Sequence, residues 1–594
     1  MAIISAIDTV ILLGAALLLV GILSSLVASR FGAPLLLIFL GIGMLAGEDG
    51  PGGIAFNNYY ATYLIGSVSL AIILFDGGMR AQLATFRPAL RPGIALATVG
   101  VLLTAAITGG FARLAFGLSW PEALLIGSIV ASTDAAAVFF LVRTRGLELN
   151  QRVGVALEIE SGMNDPVAVF ATIMLVEGIR TGWQISAGHV LLALGEQAVI
   201  GTLAGVTGGF AISAAVNRLA LPSGLQPLFV VTGAVFIFAL AQTAHGSGFL
   251  AVYLAGLIVG NRPLRAHSNI VDFHDAATWF CQIVMFLVLG LLASPSHLLQ
   301  HLGPALVVAV GLTFVARPLA AWLCLKPFGF SLQEILFVSW VGLRGAVGIF
   351  LASIPVLTGL PNAELYFDVA FVIVLVSLLV QGWTIAPVAH WLDVALPPRP
   401  MANRVELDLP GQLEYEIVGY AVPPDSMILH HVAPPSWARL LLLVRNDRVM
   451  SPEEAGELRA NDHAYFLAPP WRIHLLDRLF ALPADVEADQ SFFGEFTFRG
   501  DVTLGTLAEL YGLSVPPDKL RTTVTDYFAA EINEHPVVGD RLPLGASALI
   551  VREMDGDRVI SAGLQLESVP ARHLLPARLR RLLRLDRGDS EGDG

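Results

Sequence analysis

Long apolar runs separated by short polar loops fill the first two thirds of this 594-residue chain. About 20 predominantly apolar residues in helical conformation cross the core of a bilayer, so windows of that length predict membrane spans. The first run has neither the basic start nor the small-residue cleavage site of a signal peptide, and we expect it to be retained as a helix. The pattern predicts thirteen transmembrane helices, at approximately 6–28, 33–47, 60–78, 92–113, 121–142, 152–176, 188–216, 226–243, 247–260, 275–293, 303–325, 333–357 and 365–391.

Positive charge is concentrated in alternate loops between these spans. The opposite loops carry only Arg113 and Arg180. Because basic residues are enriched in cytoplasmic loops, this asymmetry predicts that the N-terminus lies outside and that the C-terminal part lies in the cytosol. The cytoplasmic set contains eleven residues: Arg30, Arg80, Arg87, Arg91, Arg143, Arg145, Arg152, Arg218, Arg262, Arg265 and Lys326.

The hydrophobic pattern changes after a Pro-rich linker at 396–401. Residues 403–482 and 490–567 combine short strand-like runs with helical stretches, which predicts two small α+β domains. The first domain has strand-like runs at 413–422, 438–444 and 462–467 and helical stretches at 452–459 and 471–480. The second has a helix at 504–511 and strand-like runs at 493–498, 522–528, 547–553 and 558–565.

The last segment, 568–594, has basic residues with leucines at near-helical spacing and then an acidic end that we expect to be disordered. Its basic part could lie as an amphipathic helix on anionic lipid, or it could pack against a partner.

Composition supports this division of the chain. The sequence is 55% apolar and only 14% charged, with a mean hydropathy of +0.71, so we expect a polytopic α-helical membrane protein followed by two small α+β cytoplasmic domains. The net charge of −13 argues against nucleic acid as a partner. Cys281 and Cys324 fall inside apolar runs and indicate no disulfide framework. No P-loop, dinucleotide fingerprint or zinc spacing is present. We therefore expect a transporter driven by an ion gradient, with no cofactor and no enzymatic activity.

The sixth predicted span contains the most informative polar cluster, Glu160-Ser161-Gly162-Met163-Asn164-Asp165-Pro166. Ionisable groups at membrane depth are costly and usually functional. In a helix, Ser161 and Asp165 share one face, and Glu160 and Asn164 share the adjacent one. Pro166 lacks the N–H that would pair with the carbonyl of residue 162. A carboxylate, a hydroxyl and a carbonyl could ligate a dehydrated monovalent cation. Burial also favours the protonated form of Asp165, so proton and cation would compete for one group.

Three further polar positions belong to this picture. Thr133 and Asp134 lie in the fifth span and would face the same cavity if that helix is interrupted, as at transporter midplanes; an intact helix with a satisfied Asp134 is the alternative. Asp76 closes the third span and is either an entrance carboxylate or a solvated residue at the membrane edge. Arg344, deep in the twelfth span, needs an acidic partner, and we expect Glu160 to provide it. Arg317 in the eleventh span is a weaker candidate of the same kind.

These motifs together resemble the NhaP branch of the monovalent cation:proton antiporters, and the similarity extends over residues 1–395. The resemblance implies thirteen transmembrane helices in two inverted repeats, with a core domain of crossing, partly unwound helices and a dimerisation domain. It also implies a homodimer in the bacterial inner membrane. Ala135 stands where the branch usually has a proline, so the sequence alone does not assure a freed carbonyl at Thr133.

The same resemblance implies a role for each polar residue. Asp165 would bind the cation and the proton, with Ser161 and Thr133 as further cation ligands. Asn164 and Asp134 would organise the helix crossing, and Glu160 would pair with Arg344. Asp76 matches an acidic position at the cytoplasmic funnel that is usually Glu.

The tail narrows the resemblance. Residues 403–482 look like the C-terminal ligand-binding module of regulators of potassium conductance (RCK), and 490–567 resemble the domain appended to CorC/HlyC transport proteins. An antiporter that carries both is similar to the CvrA-like potassium/proton antiporters. Such a protein would exchange cytoplasmic potassium for external protons without net charge movement, and would serve potassium, pH and volume homeostasis. A small regulatory ligand could bind the tail, but no residue identifies it.

Three alternatives remain open at this stage. Sodium/proton exchange would use the same hydroxyl and carboxylate ligands. A potassium channel gated by the tail is disfavoured because the chain has no selectivity-filter motif of the Thr-Val-Gly-Tyr-Gly type. An intramembrane hydrolase using Ser161 lacks a suitable histidine, since His189 near a span boundary is the nearest one.

Overall fold

The computed structural model divides into two compact units, Met1–Pro483 and Ala484–Gly594. The predicted terminal segment 568–594 lies outside the described residues. The structure describes residues 2–566 except for 32–33, 82, 84–88, 145–146, 183–186, 220, 223, 265–266, 397–403, 408–414, 425, 430–434, 436, 447, 470–471, 481–492, 494–495, 512, 514, 533–535, 545–546 and 556–557.

The first unit is built mainly of apolar helices. They are, in chain order, α1 (Ala2–Phe31), α2 (Leu35–Ala46), α3 (Tyr59–Arg80), α4 (Leu90–Phe116), α5 (Trp120–Ile129), α6 (Ala135–Thr144), α7 (Gln151–Thr181), α8 (Ala187–Arg218), α9 (Leu225–Thr243), α10 (Gly248–Gly260), α11 (His267–Leu292), α12 (Pro295–Phe328), α13 (Leu332–Trp340), α14 (Ala346–Leu357) and α15 (Ala363–Trp391).

Within the described residues, nine of these helices are long and apolar enough to cross a membrane: α1, α3, α4, α7, α8, α9, α11, α12 and α15. The chain is therefore a polytopic helical membrane protein. Helices α2, α10 and α14 are apolar but shorter. Two predicted spans are each divided into two helices, α5 with α6 and α13 with α14.

Two helices contain a wide, π-helical turn. In α4 it covers Leu96–Gly100, and in α12 it covers Leu312–Ala316. Such turns carry one residue more than a regular helical turn and occur often at functional sites. Each of these helices directly precedes one of the two divided spans.

Helices α3 and α10 approach each other closely because glycines face each other's backbone. A Cβ atom at Gly78 of α3 would overlap the carbonyl oxygen of Tyr253 in α10, and one at Gly256 would overlap the carbonyl oxygen of Phe75. Small residues permit this kind of helix contact in membranes. The backbone at the end of α3 is therefore held firmly against α10.

A short antiparallel pair joins the loop before α7 to the segment that follows the last helix of the helical part. Strand β1 (Glu148–Leu149), just before α7, pairs with β2 (Ala395–Leu396), just after α15. Five more strands form an antiparallel sheet in the order β3-β4-β7-β5-β6. They are β3 (Arg404–Leu407), β4 (Glu416–Ala421), β5 (Arg439–Arg445), β6 (Arg448–Met450) and β7 (His463–Ala468).

Two helices accompany this sheet, α16 (Pro452–Ala455) and α17 (Ile473–Phe480). The helix predicted at 452–459 is shorter than expected. Gly456, at a φ of +64°, ends it after one turn, in the left-handed half of backbone space that glycine adopts readily.

A buried carboxylate connects the strands of this sheet. Asp462, just before β7, accepts hydrogen bonds from Arg445 Nε at 2.9 Å and Nη2 at 2.8 Å, and from the Arg459 backbone N–H at 2.7 Å. Burial alone would raise the pKa of the Asp462 carboxyl, but these hydrogen bonds outweigh burial and hold the pKa below its usual value.

We expect Asp462→Asn to accelerate amide hydrogen exchange in β5 and β7 several-fold at neutral pH. A carboxyl whose pKa is lower in the folded state stabilises the fold above its unfolded pKa of about 3.9, and this contribution is lost as the pH falls through the folded value. Variant and wild type should therefore converge in strongly acidic buffer. Exchange mass spectrometry on the full chain in detergent measures both.

Asp501→Asn is the control, because Asp501 forms an exposed ion pair with Arg499 and exposed pairs contribute little to stability. A difference between Asp462→Asn and wild type that persists unchanged at acidic pH would contradict the assignment.

The second unit has its own antiparallel sheet, in the order β8-β11-β10-β9. Its strands are β8 (Phe496–Arg499), β9 (Arg541–Leu544), β10 (Ser547–Asp555) and β11 (Arg558–Gln565), and its helices are α18 (Leu504–Tyr511) and α19 (Val524–Glu531).

The prediction of a strand at 522–528 is wrong, since α19 begins there. Thr523 is the N-cap, and its hydroxyl accepts the backbone N–H of Asp526 at 3.1 Å. This local hydrogen bond favours a helix start over the β-branched run that suggested a strand.

Candidate functional site

The two interrupted spans meet at their non-helical segments, 130–134 and 341–345. The Asp134 backbone N–H donates to the Leu343 carbonyl at 2.8 Å. The Asp134 side chain caps α6, because its Oδ1 accepts the Ala137 N–H at 3.0 Å. Four helix ends therefore converge here, with partial positive charge at the starts of α6 and α14 and partial negative charge at the ends of α5 and α13. The interruption arises with Ala135 in place of a proline.

Helix α7 places its polar cluster against the first of these segments and continues without a break through Pro166. The Asn164 amide nitrogen donates to Thr133 Oγ1 at 2.7 Å and to the Thr133 carbonyl at 3.3 Å. The Ser161 hydroxyl donates to the same carbonyl at 3.3 Å. The structure thus brings Thr133, Asp134, Ser161, Asn164 and Glu160 together at one crossing point.

Asp165 follows Asn164 in this cluster and is only 3% exposed. Its Oδ1 accepts a hydrogen bond from the Ser132 hydroxyl. Sequence reasoning gave Ser132 no role, although it is a polar residue next to Thr133 in an otherwise apolar span. A carboxylate in this position can hold either a proton or a dehydrated cation, with hydroxyl oxygens nearby as additional ligands.

Asp165 lines a cavity of about 230 Å³. Thr133, Asp134 and Ser161 line it as well, so the predicted cation ligands share one space. Its other walls are largely apolar and include Trp279 and Phe286 of α11. A mostly apolar space with a few convergent oxygens strengthens electrostatic interactions with a bound charge.

The expected pairing of Glu160 with Arg344 is wrong, because Arg317 of α12 holds Glu160. Arg317 Nη1 donates to Oε1 at 2.5 Å and Nη2 donates to Oε2 at 2.8 Å. Both side chains are buried, and the two parallel hydrogen bonds match the geometry of a bidentate arginine–carboxylate pair. The Thr133 hydroxyl lies 3.5 Å from Oε1 of the same carboxylate.

Arg344 instead binds the end of α5. Its Nη1 donates to the Ala131 carbonyl at 2.6 Å and to the Ser132 carbonyl at 2.8 Å. Its backbone N–H donates to Ser377 Oγ of α15 at 2.9 Å. A buried guanidinium here satisfies carbonyls that have no helical partner and balances the negative end of the helix dipole. Arg344 therefore fixes the segment that carries Ser132 and Thr133.

Asp76, near the end of α3, lines the same cavity and is 5% exposed. Both of its carboxylate oxygens accept a hydrogen bond from Arg80 Nε, at 3.1 and 3.0 Å. Arg80 Nη2 also contacts Asp275 of α11. Sequence reasoning did not identify Arg80, Asp275 or the lining residue Glu158. Arg80 and Asp275 lie at the boundaries of predicted spans, where charged residues are ordinary, and Glu158 lies inside the sixth predicted span but was given no role.

We expect Gly162→Ala to destabilise the protein by about 1–3 kcal/mol, the usual cost of overpacking. Gly162 lies on α7 against the ring of Tyr253, and a Cβ atom there would overlap that ring. Thermal unfolding of the purified protein measures the effect. Gly154→Ala on the same helix is the control, because no atom lies within 4 Å of its added methyl group. Equal stability of the two variants would contradict the close contact.

Comparison with known proteins places this geometry among ion exchangers. The profile of the transmembrane sodium/hydrogen exchanger family matches residues 14–391, and that of the transporter associated domain matches residues 489–568. The second match agrees with the resemblance predicted for 490–567. The RCK-like resemblance of 403–482 stays a prediction.

Named relatives cover nearly the whole chain. The K(+)/H(+) antiporter NhaP2 of Shewanella oneidensis is 42% identical over 94% of this chain and 98% of its own length. The K(+)/H(+) antiporter NhaP of Alkalimonas amylolytica is 42% identical over 93% of this chain and 97% of its own. Among solved structures, the sodium proton antiporter MjNhaP1 of Methanocaldococcus jannaschii matches with a TM-score of 0.57 at 25% identity, covering 66% of this chain and 99% of that one.

Proposed function

The chain belongs to the sodium/hydrogen exchanger family, and we propose on this basis that it exchanges cytoplasmic potassium for external protons across a bacterial inner membrane. The observation that carries the proposal is the buried Asp165 carboxylate, which lines the cavity together with Thr133 and Ser161. Potassium is proposed because relatives that are 42% identical over almost the entire chain are named K(+)/H(+) antiporters.

The exchange follows from competition for one carboxylate. Protonated Asp165 has no charge with which to hold a cation, and a cation bound at Asp165 excludes the proton. Thr133 and Ser161 would supply oxygens in place of water around the cation. If the site faces the two sides alternately and reorients only when loaded, each cycle exchanges one potassium ion for one proton. Asn164 beside Asp165 is neutral, which agrees with exchange without net charge movement.

The remaining polar residues hold this site in place. Asn164 and Asp134 hydrogen-bond to the backbone where the first interrupted span is unwound and where α6 begins. Arg344 binds the end of α5, and the ion pair of Glu160 with Arg317 joins α7 to α12. These residues act on the site by positioning it.

We further infer thirteen membrane crossings. The nine long helices supply nine, α2 and α10 supply two, and the divided spans α5–α6 and α13–α14 supply one each. With the basic loops inside, the N-terminus is external and both tail domains are cytoplasmic. Helix α4 is the fourth crossing and α12 the eleventh. An interval of seven crossings reverses orientation, as two inverted repeats require. The protein would work as a homodimer in the bilayer.

The tail suggests control by a small ligand. The sheet of β3 to β7 occupies the region predicted to resemble an RCK ligand-binding module, and a transporter associated domain follows it. We propose that these cytoplasmic domains regulate transport rather than take part in it, and that transport itself needs no cofactor.

Proton movement in everted membrane vesicles tests the proposal. Vesicles acidified by respiration and loaded with a pH-sensitive dye should dequench when a potassium salt is added, at far lower concentration than a sodium salt requires. A signal from sodium alone would favour the second candidate, sodium/proton exchange, because MjNhaP1 is named a sodium proton antiporter. No signal from either ion would refute the exchange of these cations, and a potassium current without proton movement would favour the tail-gated channel.

A further inference from the structure

One positive side chain lies among carboxylates of the cavity lining. Asp76, Glu158 and Asp275 line the cavity, and so does Arg80. The side chains of Arg80 and Asp275 are 30% and 50% exposed, in contrast to 7% for Asp76. Arg80 and Asp275 therefore mark the outer end of the cavity, and Asp76 lies further in.

Arg80 occupies the carboxylate that an entering cation would meet. Its Nε bonds both oxygens of Asp76, and its Nη2 bonds Asp275 on a different helix. A guanidinium and a potassium ion carry the same charge and bind the same oxygens. While Arg80 is in this position, Asp76 cannot offer either oxygen to an ion without losing a charge-assisted hydrogen bond.

The side chain can leave without moving the helix. The backbone at the end of α3 is held against α10 by the contacts of Gly78 and Gly256. Arg80 is the last residue of α3 and is partly exposed, so rotation about its side-chain bonds is enough to carry the guanidinium out towards solvent.

We propose that Arg80 is a tethered cation that competes with the transported ion for Asp76 and thereby sets the apparent ion affinity on this side of the membrane. The inference rests on the proposed function. It assigns Arg80 a role in substrate affinity in addition to any role in joining α3 to α11.

Arg80→Gln should lower the potassium concentration that gives half-maximal exchange in everted vesicles, whose outer face is the cytoplasmic one. If the guanidinium occupies Asp76 about nine-tenths of the time, only about one-tenth of the molecules have an Asp76 that is open to an ion. Because the apparent affinity scales with that fraction, the expected decrease in the half-maximal concentration is about tenfold. Arg80→Lys keeps the charge but loses the guanidinium group that contacts Asp76 and Asp275 together. Its half-maximal potassium concentration should lie between those of Arg80→Gln and wild type.

Arg91→Gln is the matched control. It removes the same charge from the same proposed side of the membrane, but Arg91 is exposed and is not among the residues that line the cavity. If loss of a positive charge merely raised the potassium concentration near the membrane surface, the half-maximal concentration would decrease equally in both variants. Equal decreases would overturn the proposal.

A second readout does not depend on turnover. Potassium should stabilise the purified protein against heat, and the midpoint of that stabilisation should move to lower concentration in Arg80→Gln. Unchanged half-maximal concentrations in both assays, with or without a lower maximal rate, would leave Arg80 a structural residue and refute the inference. Absence of exchange in wild-type vesicles would instead refute the proposed function.

Discussion

Asp165→Asn is expected to reduce potassium-driven proton movement in everted vesicles to the level of vesicles without the protein. The amide has nearly the shape of the carboxyl group and can still accept the Ser132 hydroxyl, so the surrounding contacts survive. It cannot take up or release a proton near neutral pH, and it offers a cation no negative charge. Both halves of the exchange are therefore lost together.

The control for this variant is Asp393→Asn. Asp393 is exposed just after α15 and has a φ of +54°, a conformation that asparagine also tolerates. The Asp393→Asn variant should exchange potassium for protons like wild type. Equal amounts of each variant in the membrane, and equal thermal stability, are required for the comparison. Near-normal dequenching by Asp165→Asn would disprove that Asp165 is the exchange site.

The second large effect is expected from the buried ion pair of α7 and α12. Arg317→Met should destabilise the protein by about 3–5 kcal/mol, because it leaves the Glu160 carboxylate buried without its partner. Adding Glu160→Gln should recover most of that loss, since two neutral side chains remain. Thermal unfolding of the single and double variants gives the coupling between the two positions.

Arg344 is the control for the pairing of Arg317 with Glu160. Arg344→Met should also be destabilising, because the carbonyls of Ala131 and Ser132 lose their donor, but Glu160→Gln should give little recovery. If Glu160→Gln recovered stability in Arg344→Met and not in Arg317→Met, the pairing of Glu160 with Arg344 that the sequence suggested would be correct.

Much of the fold could be predicted because membrane helices leave a strong mark on a sequence. The predicted spans at 33–47 and 247–260 correspond to α2 and α10, and the span at 152–176 lies within α7. The tail strands at 547–553 and 558–565 lie within β10 and β11. Strand and helix signals are weaker in the tail domains than in the membrane spans. At 522–528 the capping Thr523 favours a helix where the sequence pattern predicted a strand.

The site was less predictable because its partners depend on where helices stop. Once 341–345 is not helical, the direction of Arg344 no longer follows from helical periodicity, and the end of α5 becomes its partner. Arg317 follows the wide turn Leu312–Ala316, which shifts the phase of everything after it. Arg80 lies at a helix end, where a basic residue is ordinary. Only its contacts with acidic residues on two helices, Asp76 of α3 and Asp275 of α11, distinguish it.

The succession of a wide-turned helix, a divided span and a long helix occurs twice, as α4 to α7 and as α12 to α15. In both cases the last helix sends polar side chains to the unwound backbone: Asn164 and Ser161 bind the Thr133 carbonyl, while Ser377 and Gln381 bind the backbone of Arg344 and Trp340. Asp165 follows Asn164 directly in α7, whereas Ser377 and Gln381 of α15 are uncharged and hold the segment that carries Arg344. Because Arg344 in turn binds the carbonyls of Ala131 and Ser132, the second set of contacts braces the segment beside Asp165.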